Sequence, residues 1–218
     1  MIRAKHIVLG ATSAVLLGSL VGCGGGGAEA GGSLSVDRLV QVAEEVGRDG
    51  ADTCPLPYDT GKAAEAAKVD ASVEPGTADA EPNEPTATAE GGKTTDPQSA
   101  FAGKGGAWIT CSYHVGGDDL VVHTVGTEAG NAVNVLLPTT QQAAGMSADE
   151  VKAYYEKADK AKPGEAVPSP GGNVVTVSLD SGGKGDVALL LTVGEDDKSA
   201  LKPEQVLQLA RTFAAQAE

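Results

Sequence analysis

The sequence predicts an α+β domain, with an antiparallel sheet of about five strands packed with three helices. Three observations carry that expectation. Short stretches alternate apolar and polar residues and are joined by Gly-rich turns, as in Ala107 to Val115 and Leu120 to Val125. Other stretches repeat apolar residues at helical spacing behind a capping residue. The resulting order is helix, three strands, helix, two strands, helix, with hairpin-length connections.

The chain opens with Arg3 and Lys5, followed by an apolar run from Ile7 to Val21. A charged start, an apolar centre and small residues before a cut are the parts of a secretion signal. The run of about 15 residues is short for a stable bilayer span. It closes on Leu20-Val21-Gly22-Cys23, which resembles the lipobox of bacterial lipoproteins. That resemblance implies removal of residues 1–22, a lipid on Cys23 and anchoring to the extracytoplasmic face of the cell membrane. An uncleaved membrane anchor and ordinary soluble secretion are the alternatives. Residues 23–33, rich in glycine, then form a flexible tether. The abundance of Gly and Ala beside few aromatic residues resembles actinobacterial proteins.

Residues 34–218 are expected to make a single domain. Val36 to Val46 reads as a helix capped by Ser35, with Leu39, Val42, Ala43 and Val46 on one face. Cys54-Pro55-Leu56-Pro57-Tyr58 is a rigid turn. Residues 61–99 are acidic and carry Pro75, Pro82, Pro85 and Pro97 without an aromatic residue. So little apolar surface predicts a disordered loop, with a helical turn or two over Ala63 to Val69. A linker between an N-terminal helical hairpin and the main domain is the alternative.

Ala107 to Val115 reads as the first strand, with Ile109, Cys111, Tyr113 and Val115 on the core side. Trp108, Thr110, Ser112 and His114 lie on the other. A four-residue turn at Gly116 to Asp119 leads to the second strand, and Ala132 to Leu137 reads as a third, ended by Pro138. Ser147-Ala148-Asp149-Glu150 is a capping box opening a helix to about Asp159. Met146 and Val151 are placed to staple it, and Val151, Tyr154, Tyr155 and Ala158 form its inner side. Val174 to Leu179 and Val187 to Val193 pair around a Gly-rich turn, and Pro203 begins the last helix. This order of elements, with the two cysteines, resembles small exported lipoprotein and sensor domains of PsbP-like type over residues 34–216.

With Cys23 lipidated, Cys54 and Cys111 are the thiols left in an exported chain, and the expectation is one disulfide. Two free thiols are the alternative. No C-x-x-C spacing supports a metal, and no cofactor is implied. Without Arg3 and Lys5 the chain holds 30 acidic and 14 basic side chains, a formal charge of −16. Such a surface repels nucleic acid. No Gly-x-Ser-x-Gly elbow and no calcium-loop spacing occur, so no catalytic residue is assigned.

The candidate ligand-pocket residues are Trp108, Tyr113, His114 and His123. Pairing Val115 near Leu120 would set His114 opposite Val121 and His123 opposite Ser112, on one sheet face. The two histidines lack a third metal ligand, and an apolar cleft at Trp108 or Tyr113 would suit a small apolar ligand. The expected function is a non-enzymatic cell-surface binding or interaction module, for such a ligand or an envelope protein. An enzyme acting on envelope material and a purely structural envelope protein are the alternatives.

Overall fold

The computed structural model describes residues 33–92, 99–194 and 199–218. The signal segment, Cys23 and nearly all of the tether lie outside the described residues, as does Pro97. Helix α1 (Val36–Val46) forms where the periodicity places it. Ser35 accepts a hydrogen bond from the Arg38 amide at 3.2 Å, and Leu39, Val42, Ala43 and Val46 are buried. It is followed by α2 (Thr60–Ala67), β1 (Val73–Pro75), β2 (Ala87–Gly91), β3 (Gly106–Val115) and β4 (Asp118–Thr127). Then come α3 (Ala132–Ala143), α4 (Ala148–Ala158), β5 (Ala166–Pro168), β6 (Val174–Leu179), β7 (Asp186–Val193) and α5 (Pro203–Ala217). The α+β class stands, with seven strands and five helices among the described residues.

The strands make one antiparallel sheet in the order β1-β3-β4-β7-β6-β5. β2 also pairs with β3, alongside Ala107 to Cys111, while β1 takes Tyr113 to Val115 on the same edge. The alternation of β3 divides the sheet faces as its pattern implies. Ile109, Cys111, Tyr113 and Val115 join Leu120, Val122, Leu189 and Leu191 beneath α1, α2 and α5. Trp108, Val125, Ala188, Leu190 and Val174 form a second, smaller cluster with Phe101, Met146 and Tyr154, under α3 and α4. The first face needs close approach: a Cβ on Gly126 would meet Leu39 Cδ1 at 2.8 Å. Tyr58 and Tyr113 pack on Phe213 of α5 at ring-centroid distances of 5.3 and 6.4 Å.

The disulfide forms. Cys54 and Cys111 are joined, with Cα atoms 5.4 Å apart, and tie the turn after α1 to the core side of β3.

Three expectations are corrected. Ala132 to Leu137 is the start of a helix, not a strand. Asn131 caps it by accepting from the Asn134 amide at 3.0 Å, and Val133, Leu136 and Thr140 are buried at helical spacing. Val133, Val135 and Leu137 also fit a strand, so the two periods compete over so short a run. Pro138 does not end the element; it sits inside the helix and is exposed.

The helical turn expected over Ala63 to Val69 forms as part of α2, but the rest of residues 61–92 is not a disordered loop, for it carries β1 and β2. Asp59 caps α2 through the Lys62 amide, and Gln216 of α5 brackets the Asp59 backbone at 2.8 and 3.1 Å. The strands gain order from backbone pairing with β3, a term that local composition does not contain.

The β3–β4 turn is the third correction. Val115 pairs with Asp118 across Gly116-Gly117, a two-residue turn in which Gly116 adopts φ 62°. The pairing is therefore displaced by two residues from the expected register. An even displacement keeps every side chain on its expected face.

Candidate functional site

Helices α3 and α4 cover the second sheet face over β6, β7 and part of β4. Towards β2 and β3 the cover stops at Trp108, which is half-buried against the edge of the second cluster. Beyond it lies a groove of about 420 Å³ lined by Thr88, Ala89, Glu90, Trp108 and Thr110. The sheet register makes this a compact set: Thr88 pairs with Thr110, and Glu90 with Trp108. All four side chains stand on one face.

The indole is fixed in place. Trp108 Nε1–H donates to His123 Nδ1 at 3.2 Å, and the rings meet edge to face with centroids 5.6 Å apart. The corrected register brings them together, because it sets His123 opposite Thr110 rather than Ser112. Thr110 Oγ1 also lies 3.0 Å from His123 Nδ1. Burial pushes the His123 imidazole down to about 4 from its usual 6.5, so the ring is neutral at physiological pH. Glu90 is exposed, and its Oε1 accepts from Ser99 Oγ at 2.7 Å.

The other sequence-predicted residues divide. His114 is on the same face but opposite Asp119, four residues along β4 from His123, a separation of about 13 Å. Its Nδ1 lies 3.2 Å from the Gly76 carbonyl and its Nε2 3.8 Å from Glu74. Tyr113 belongs to the opposite, closed face, where burial raises its hydroxyl to about 12. It contributes to no cleft shared with Trp108. Glu90, Thr88 and Ala89 were missed because they fall in the stretch read as disordered. The only trace was Thr86-Ala87-Thr88-Ala89-Glu90, a polar–small alternation with weak strand propensity.

The arrangement is poorly suited to proton transfer at His123 at neutral pH. A hydroxyl beside an imidazole invites comparison with a nucleophile and its base. A base with a pKa near 4 is far from the value that serves at neutral pH, and its Nδ1 lone pair already receives the indole N–H. Among the described residues no group of three or more His, Cys, Asp or Glu is gathered for a metal. No described helix is long and apolar enough to cross a membrane.

Compared with known proteins, the chain matches no family model, no curated protein and no solved structure.

Proposed function

We propose that this chain is a lipid-anchored binding module on the extracytoplasmic face of the cell membrane, and that it does its work without catalysis. The observation that carries the reading is the Trp108 groove. An aromatic side chain is held by His123 at the boundary of a covered sheet face, with two hydroxyls and a carboxylate beside it. The anchor rests on the charged start, the apolar run and Leu20-Val21-Gly22-Cys23. The glycine-rich residues that follow give the domain reach from the lipid surface. Its acidic balance disfavours nucleic acid as a partner.

Two measurements test this. Intact mass of protein from the membrane fraction should show loss of residues 1–22 and a lipid on Cys23, and Cys23→Ala should release the protein. Unmodified chain found only in the medium would sink the anchor. Incubation with cell-envelope material should leave that material chemically unchanged by mass spectrometry. Turnover that disappears in Thr110→Val or His123→Gln would replace the binding reading with an enzymatic one.

A further inference from the structure

We propose that the Trp108 groove takes a lysine or arginine side chain presented by an extended protein segment that pairs with the open edge of β2. The inference rests on the reading of the chain as a binding module and gives its site a ligand class.

Charge is the first argument. Glu90 is the charged residue among the described residues lining the groove, and no described lysine or arginine joins it there. The whole chain is acidic, at −14. An anionic ligand would meet repulsion from both. The indole adds to the preference. Its one polar group, Nε1–H, is engaged by His123, so what remains for a ligand is the π surface. A cation held over an indole and beside a carboxylate is attracted by both. Thr88 and Thr110 add hydroxyl oxygens able to accept from its N–H groups.

The edge of β2 is the second argument, and it is independent of charge. The Ser112 amide donates to the Thr86 carbonyl at 2.8 Å and the Gly92 amide to the Gly106 carbonyl at 3.0 Å. By the alternation of an antiparallel ladder, Thr88 and Glu90 therefore turn their backbone groups to β3, while Ala87 and Ala89 turn theirs outward. Ala87 spends both of its groups on Ala51, at 2.8 and 2.9 Å. The ladder stops there, because Gly50 takes φ 78°. Among the described residues no backbone group pairs with Ala89 on that side. The Ala89 side chain belongs to the opposite face, so Ala89 meets the groove through its backbone. The groove thus runs from the indole to a strand edge that, among the described residues, is unpaired at Ala89. A segment added there would place alternate side chains on the Trp108 face.

Trp108 is the single tryptophan, so its emission reports the site directly. The full chain should be titrated with Nα-acetyl-lysine amide, with its uncharged analogue Nα-acetyl-norleucine amide, with N-acetylglucosamine, and with the capped peptide Thr-Val-Lys-Val-Thr. The peptide should bind most tightly and the lysine amide next, with norleucine amide and the sugar weakest. Glu90→Gln, an exposed change that leaves the melting temperature in place, should weaken the lysine probes about fivefold. Raised salt should act in the same direction. Equal binding of the norleucine probe, or no loss in Glu90→Gln, would overturn the cation. A peptide no tighter than the single amide would overturn the edge pairing. Saturable binding of N-acetylglucosamine alone would overturn this inference while leaving the binding-module reading in place. Silence from every probe would overturn the inference as well. Dimerisation in sedimentation that blocks the peptide would assign the edge to a second copy of the chain instead.

Discussion

The two faces of the sheet are built from the same strands and finished differently. On one, α1, α2 and α5 close over Ile109, Leu120, Leu189, Leu191 and Phe213, each of them fully buried. On the other, α3 and α4 cover β6, β7 and part of β4, and the cover ends at a half-buried tryptophan beside two threonines and an exposed glutamate. Burial stabilises both faces, the first with the larger cluster. The second leaves polar groups and one half-buried aromatic ring accessible where its cover ends. Perturbing each face should therefore give different readouts.

The largest effect is expected on the closed face, at the disulfide. Cys54–Cys111 closes a loop of 57 residues of separation, and the chain-entropy estimate for such a loop is about 4 kcal/mol. Reduction should lower the melting temperature and increase hydrogen exchange in α1 more than in α5, because the bridge tethers the turn that follows α1. Equal loosening of both helices would show that the bridge acts only through the unfolded chain.

A smaller effect is expected from His123, at the boundary of the open groove. Its folded pKa lies below its usual value, so the unfolded chain binds the proton more readily. The stability it contributes is complete above pH 6.5 and is lost as pH falls towards about 4, amounting to about 3 kcal/mol at most. Urea unfolding between those pH values should show the loss, and His123→Gln should reduce it. A flat profile in the unsubstituted protein would mean that the imidazole is better solvated than its burial implies.

The smallest stability effect belongs to the groove itself. Glu90→Gln should move the unfolding free energy by less than about 0.5 kcal/mol, since an exposed side chain carries little of the fold. A larger loss would make Glu90 a structural residue and remove it from the site.

Much of the closed face was legible because its residues repeat strongly. Ile109, Cys111, Tyr113 and Val115 alternate without interruption, and α1 shows its apolar stripe and its Ser35 cap in sequence. The cysteine pair was readable by elimination, and the geometry joins it. The open face was legible only in part. Trp108 and His123 fell on its surface by alternation, but their contact depends on a register set by Gly116-Gly117, and pattern alone does not choose between a two-residue and a four-residue turn. Glu90 and Thr88 sit on a strand whose order comes from its neighbour β3 rather than from its own apolar content. The same tertiary dependence left α2 legible only as a helical turn or two over Ala63 to Val69, since its buried face is alanine docked near α5. Over Ala132 to Leu137 two periods fitted, and the Asn131 cap together with Leu136 and Thr140 decided for the helix.

The division of labour between the faces is tested most directly by nuclear magnetic resonance on the 15N-labelled full chain titrated with Nα-acetyl-lysine amide. The chain has one tryptophan, hence one indole N–H signal, and that N–H is the one donated to His123. Saturable shifts of this signal and of the amides of Thr88, Ala89, Glu90 and Thr110 are expected, with Leu120, Leu189 and Phe213 unmoved. Shifts centred on Tyr113 and Phe213, with the indole signal stationary, would place the binding surface on the closed face and would contradict a site at Trp108.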